Sequence, residues 1–191
     1  MTIFKSATVA RGFALGLGGA LALLAGTFPA SAALPVGEKA PDFTLKAALA
    51  GKPMTFSLRQ ALKKGPVVLY FFPAAFTKGC TLEAHAFAEA TDDFNKMHAT
   101  VIGVTAGNID RVAEFSSVEC RNKFAVAADP DAKIAGEYKN QLQFNGKVIS
   151  DRTSYVIAPD GKILLSYTNP NPEEHITKAM EAVKAWRAKH A

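Results

Sequence analysis

YFFPAAFTKGCTLEA, residues 70–84, is the stretch from which the rest of the chain is read. It closes an apolar run that begins at Val67, as in a strand buried on both faces. Pro73 is expected to stop that strand, because proline has no N–H to give to a ladder. A short loop follows, and a helix is expected to open between Thr77 and Cys80. Cys80 then sits in or just before a first helical turn, whose free N–H groups and dipole favour a negative sulfur. A free cysteine titrates at about 8.5, and such a position lowers that to roughly 3.5–7.5. Thr77 adds a hydroxyl three positions before the sulfur, and Glu83 a carboxylate three positions after it. Cys80, Glu83, Phe87, Ala90, Phe94 and Met97 recur at steps of three and four, forming one mostly apolar helix face. The sulfur is therefore expected to point towards the sheet, at the floor of a pocket. Spacing alone equally allows a plainer reading, in which Cys80 is a small, inert core residue.

Upstream, the chain opens with Lys5 and Arg11, then a charge-free apolar run over residues 12–28, then Ala30-Ser31-Ala32. A basic start, an apolar middle and a small-residue end make a secretory leader over residues 1–32. There is no twin-arginine pair, so general secretion is the expected route, to the periplasm. The remaining 33–191 are expected to form one domain, with no later stretch apolar enough to span a membrane. Losing the leader removes two cations and no anion, so the formal charge falls from +5 to +3. That mild excess, without a basic tract, excludes a nucleic-acid partner.

Around the opening stretch, residues 41–45 and 54–58 read as a hairpin across Gly51-Lys52-Pro53, with Ser57 capping a short helix over 58–64. Residues 67–72, 100–105 and 124–128 read as buried strands. Asn108 is expected to cap a helix that carries Val112, Phe115 and, near its end, Cys120. A short helix follows at 132–138. Residues 153–158 and 162–167 form a hairpin across Pro159-Asp160-Gly161. Asn171 caps a last helix with an apolar stripe of Ile176, Ala179, Met180, Val183 and Trp186. Early alternation of strands and helices, then a hairpin and a helix, gives a mixed α/β sheet with helices on both faces. A thioredoxin-like arrangement fits, although no C-x-x-C pair occurs. The histidines have no zinc-type spacing, so no metal site is expected.

Pro73, Thr77 and Cys80, spaced proline, three residues, threonine, two residues, cysteine, resemble the peroxiredoxin signature. The fuller string FFPAAFTKGCTLEA is similar to the Q-type branch of the AhpC/TSA family, the relatives of bacterioferritin comigratory protein. The resemblance runs from about Leu34 to the C-terminal helix. It implies a thioredoxin-like fold and a thiol peroxidase acting on hydrogen peroxide and organic hydroperoxides, without cofactor. Cys80 would be the nucleophile, shielded by Pro73, with Thr77 and Arg152 holding the peroxide. Arg152 comes from Asp151-Arg152-Thr153-Ser154-Tyr155-Val156, which matches the family's arginine-bearing strand, and Glu83 would orient it. Many Q-type members place a second cysteine five residues after the first, where this chain has His85. Another subset places it on the next helix, and Ser117-Val118-Glu119-Cys120-Arg121-Asn122-Lys123-Phe124 resembles that arrangement. Cys120 would then resolve the Cys80 sulfenic acid as a disulfide (the atypical 2-Cys scheme), to be reduced by a thioredoxin-like dithiol protein. A stabilising disulfide and an intermolecular bridge stay open for Cys120. Three further classes stay open for the whole chain: an exported thioredoxin-like thiol-disulfide oxidoreductase, a peroxide sensor, and a non-catalytic binding module whose disulfide is structural. The expected assembly is a monomer or a weak dimer.

Overall fold

The computed structural model describes residues 1–2 and 33–190. Apart from its first two residues, the expected leader lies outside the described residues. Ala33 and Leu34 already pack on the folded domain, Leu34 in its core.

Seven strands form one mixed sheet in the order β2-β1-β5-β4-β3-β8-β9. The strands are β1 (Thr44–Leu49), β2 (Lys52–Ser57), β3 (Val67–Ala74), β4 (Thr100–Gly107), β5 (Ala125–Ala128), β8 (Thr153–Ile157) and β9 (Ile163–Thr168). β3, β4 and β5 run parallel, and β1, β2, β8 and β9 pair antiparallel at the two flanks. Val67 to Phe72 of β3 have no exposed surface, because both sheet faces are covered. One face packs Phe71, Ile102 and Tyr155 against α1 (Leu58–Leu62), α4 (Lys133–Glu137) and the N-terminal segment. The other packs Tyr70, Phe72 and Val126 against α2 (Lys78–Lys96), α3 (Val112–Val118) and α5 (Glu173–His190). This is the expected thioredoxin-like α/β layering. Among the described residues no helix is long and apolar enough to cross a membrane.

Three local expectations are corrected. β3 does not stop at Pro73 but runs to Ala74. Its pairing with β8 ends at Phe71, so the missing N–H of Pro73 costs no bond there, and the Pro73 carbonyl accepts from the Thr105 hydroxyl at 3.3 Å. Asn108 does not cap a helix with its side chain; it is left-handed, and its amide donates to the Ala75 carbonyl at 2.8 Å, tying the Cys80 loop to the end of β4. A 3-10 turn, Ile109–Arg111, precedes α3. Cys120 lies past the end of α3, in the turn that follows it. By contrast, Ser57 does cap α1, and Asn171 accepts from the Glu173 amide at 3.2 Å.

Sequence reading missed one element. β6 (Gln141–Phe144) and β7 (Lys147–Ser150) form a separate hairpin around Asn145-Gly146, with both turn residues at positive φ. An Asn-Gly pair between two alternating runs is a strong hairpin signal and was legible there.

Candidate active site

α2 starts one residue after Thr77, which takes the N-cap position with extended backbone. Cys80 is then the third residue of the helix, among N–H groups that have no partner within it. The chain reaches this point through Phe76, held at φ +63. A bulky residue there is strained and must be pinned from outside. The Phe115 ring lies edge-on at 5.2 Å, and the Arg111 guanidinium sits 3.8 Å over the Phe76 face.

The Thr77 hydroxyl does not cap the helix. It donates to the Ala74 carbonyl at 3.1 Å, which turns its lone pairs outward as acceptors. Thr77 is exposed, Pro73 is half-buried, and Cys80 has no exposed surface at all. The expectation of a sulfur at the floor of an open pocket is thus corrected. A cavity of about 600 Å³ is lined by Pro73, Thr77 and Asn108 together with Leu142, Phe144 and Val148 of the β6–β7 hairpin, and it stops short of Cys80. The space beside the sulfur is filled by Arg152. Its Nη2 stands 3.4 Å from Cys80 Sγ, and a Cβ at position 79 would lie 3.1 Å from that nitrogen. Gly79 is therefore what lets the guanidinium reach the thiol.

Arg152 enters from the start of β8 and uses all three side-chain nitrogens. Nη2 faces Cys80, Nη1 donates to Glu83 Oε2, and Nε donates to the Pro170 carbonyl at 3.0 Å. This forked geometry belongs to arginine and not to lysine. Glu83 is fully buried, and burial pushes its carboxyl up, to about 8, while the Arg152 charge pulls the other way. The second oxygen, Oε1, has no hydrogen-bond partner and lies 3.7 Å from His175 Nδ1. His175, on α5, is also fully buried. Its Nε2 lies 2.9 Å from the Asn169 carbonyl and its Nδ1 2.8 Å from the Ser154 hydroxyl. Burial is the main cause that lowers its pKa, which favours the neutral imidazole.

The sequence thus assembles Pro73, Thr77, Cys80, Glu83 and Arg152 at one end of the sheet. His175 and Ser154 were missed. His175 had been weighed only as a metal ligand, and nothing in the spacing of α5 says which of its faces meets α2.

Cys120 belongs to the same apolar cluster as Cys80, and both are free, buried thiols. Its thiol is pushed up well above the ordinary range by burial, then by the Glu119 charge. Tyr70, read from the sequence only as a buried strand residue, stacks on Phe87 at 4.4 Å. Its hydroxyl has no nitrogen or oxygen partner and faces the Cys120 thiol. A Cβ at position 103 would lie 2.8 Å from that hydroxyl oxygen, so Gly103 makes its room. One hydrogen bond and two ion pairs tie the Cys120 turn to one ridge of α2: His85–Glu119 at 2.7 Å, then Glu89–Arg121 at 3.0 Å and Asp92–Lys123 at 2.8 Å. Where a cysteine stands in many Q-type chains, His85 therefore clasps the turn that carries Cys120.

The AhpC/TSA family matches residues 36–166. A Helicobacter pylori strain J99 chain described as a peroxiredoxin of bcp type is 34% identical over 156 residues, covering 78% of this chain and 98% of the relative. Peroxiredoxin Q of Arabidopsis thaliana chloroplasts is 34% identical over 150 residues, covering 78% of this chain and 67% of the relative. Among solved structures, the peroxidoxin BcpB of Mycobacterium tuberculosis superposes with a TM-score of 0.71 at 28% identity, over 80% of this chain and 97% of that one.

Proposed function

The chain belongs to the AhpC/TSA family, as a peroxiredoxin of the bcp and Q type, and from that premise we propose how its residues perform thiol peroxidase chemistry. Cys80 attacks the terminal oxygen of hydrogen peroxide or an organic hydroperoxide. Thr77 accepts the peroxide proton as a hydrogen bond, and Arg152 donates to the oxygens as charge moves along the O–O bond. Pro73 walls the site from bulk solvent. Water or an alcohol leaves, and Cys80 becomes a sulfenic acid. The observation that carries this reading is the contact of Arg152 Nη2 with Cys80 Sγ at 3.4 Å, next to a helix N-terminus.

In the second half of the cycle Cys120 condenses with the sulfenic acid, giving a disulfide that a thioredoxin-like dithiol protein reduces by exchange. Support comes from two thiols in one apolar cluster, and from a Cys120 turn built to open. Arg121 and Asn122, the two residues after Cys120, both sit at positive φ, at +49 and +61. Arginine tolerates that region poorly. The turn is held shut by the His85–Glu119 hydrogen bond and by two exposed ion pairs, each pair worth about 0.2–1 kcal/mol and weakened by salt. Raising ionic strength is expected to speed disulfide formation several-fold, while the first reaction with peroxide changes little. Stopped-flow mixing followed by acid quench and thiol mapping separates the two steps.

We also propose that residues 1–32 are a leader cleaved after Ala32, and that the domain over 33–191 works outside the cytoplasm as a monomer or weak dimer. The packing of Leu34 into the core supports a domain that starts there.

Mass spectrometry of the mature protein before and after one equivalent of hydrogen peroxide tests the whole reading. A Cys80–Cys120 disulfide within one chain is expected in wild type. Cys120→Ser should still consume peroxide once and stop as a sulfenic acid at Cys80, open to trapping and over-oxidation. If the bridge is a permanent staple, the resting protein carries no reactive thiol, and reduction lowers stability by about 2–4 kcal/mol. A reduced form that melts far below the oxidised one, with Cys80 inert to peroxide, would sink the resolving role.

A further inference from the structure

We infer that Cys80 and Glu83 share one proton across the single guanidinium of Arg152, and that Glu83 Oε1 carries this proton while Cys80 is the nucleophile. The inference rests on Cys80 being the residue that reacts with peroxide.

The groups around Glu83 can be taken element by element. From α2 itself comes Cys80, one turn away. β8 contributes Arg152 and Ser154, α5 contributes His175, and β3 contributes the Tyr70 phenol. Arg152 is the one charged cation in this group. Asp151 is next in sequence to Arg152 but spends Oδ1 on the Arg152 backbone amide at 2.7 Å, away from Glu83. Cys80 and Glu83 have no exposed surface, and Arg152 is 5% exposed. In such a site one cation balances one anion, and a second buried anion goes uncompensated. If the sulfur carries the negative charge, the carboxyl must hold a proton.

The carboxyl is built to hold it on one particular oxygen. Oε2 accepts from Arg152 Nη1, as a carbonyl oxygen can. Oε1 receives no donor. Across from it is an imidazole whose tautomer is dictated by its other contact. The Asn169 carbonyl can only accept, so His175 Nε2 bears the hydrogen and Nδ1 presents a lone pair, to which the Ser154 hydroxyl donates. An ionised Oε1, 3.7 Å from Nδ1, would be a buried negative oxygen with no donor to settle it. A protonated Oε1 leaves a neutral hydroxyl there in place of a buried negative charge. The raised titration of Glu83, to about 8, agrees with this arrangement.

Both ends of the peroxide step then balance. Before it, the cluster is a thiolate, a guanidinium and a carboxylic acid. The sulfur lone pair forms the S–O bond with the terminal peroxide oxygen, which keeps its own hydrogen, and the O–O bond breaks. Cys80 is oxidised to a sulfenic acid and the peroxide is reduced. The leaving alkoxide or hydroxide takes up a proton and departs as alcohol or water, matched by the proton that Glu83 gives up. Afterwards the cluster is a neutral sulfenic acid, a guanidinium and a carboxylate. The buried site is neutral in both states, so the oxidation creates no uncompensated charge. Glu83 is thus a proton-holding residue that acts through Arg152, and His175 positions it.

Infrared difference spectroscopy of the full protein tests this, reduced against oxidised by one equivalent of hydrogen peroxide, with a thiol count on the same sample. The expected result is a carboxylic-acid C=O band in the reduced protein that disappears in step with the Cys80 thiol and returns on reduction with dithiothreitol. The band should be missing in Cys80→Ser, where no thiolate competes for Arg152, and in Glu83→Gln. The Cys80→Ser comparison stands even if Glu83→Gln does not fold. Loss of the thiol without loss of the band, or a band that persists in either variant, overturns the inference and leaves the peroxidase reading intact. A Cys80 thiol that survives peroxide overturns the peroxidase reading, and this inference with it.

Discussion

Cys80→Ser is expected to lower peroxide turnover by at least about 10³-fold, because loss of a covalent nucleophile leaves only binding and electrostatic assistance. The substitution is nearly isosteric at a fully buried position, so packing against the α2 side of the sheet survives. The new hydroxyl inherits Arg152 Nη2, 3.4 Å from the sulfur position, as a donor. Stability should therefore change by no more than about 1–3 kcal/mol, the cost of burying a hydroxyl with incomplete hydrogen bonding. Serine remains protonated at neutral pH, so the same donor that stabilises a thiolate finds no anion to serve. Peroxide consumption with a thioredoxin-type reductant gives the rate, and a thermal melt shows that the fold is kept. Appreciable turnover by a folded Cys80→Ser protein would remove Cys80 from the chemistry.

Arg152→Met keeps an unbranched apolar stem but deletes the guanidinium and the three donor nitrogens it uses here. Each donor serves a different group, namely Cys80, Glu83 and the Pro170 carbonyl, so Arg152 braces β8 to α2 and to the loop before α5. Removing one preorganised donor from a site where charge moves typically costs about 10²–10³ in turnover, and a loss in that range is expected. The Pro170 carbonyl and the Glu83 carboxyl lose their partner in a buried setting, worth about 1–3 kcal/mol of stability. Arg152→Lys should recover part of the stability and little of the rate, since one ammonium cannot span three partners. Steady-state turnover and thermal unfolding of both variants check this. Full turnover in Arg152→Met would return Arg152 to a purely structural brace.

Most of the nucleophile's setting was legible because it is local. A buried strand, a proline and a helix start place Cys80 at an N-terminus within a dozen residues. The threonine and the carboxylate follow from helix spacing. The α2 stripe holds at Cys80, Glu83, Phe87 and Phe94, which are buried, while Ala90 and Met97 are only partly covered and Thr91 is buried in line with Phe87 and Phe94. Helical spacing gives a stripe but not its centre, which depends on where α5 and α3 lean in. The Asn145-Gly146 hairpin was legible in principle and was passed over.

By itself the sequence determined the strand–loop–helix that presents Cys80, the layering of the sheet and the caps of α1 and α5. These depend on backbone preferences and on periodic burial, which act over a few residues. Only the tertiary structure decided what surrounds the sulfur. Arg152 and His175 are remote from Cys80 in the chain, and β8 and α5 bring them to it. Whether an arginine meets a thiolate or solvent depends on the strand register, on the absence of a Cβ at Gly79 and on an acceptor at Pro170. The same holds for Glu83, whose helix position is read from spacing but whose second oxygen is left without a donor by the way α5 closes over it. Long-range pairing of buried charge is decided by desolvation and geometry together, and neither is written in the spacing of residues along the chain.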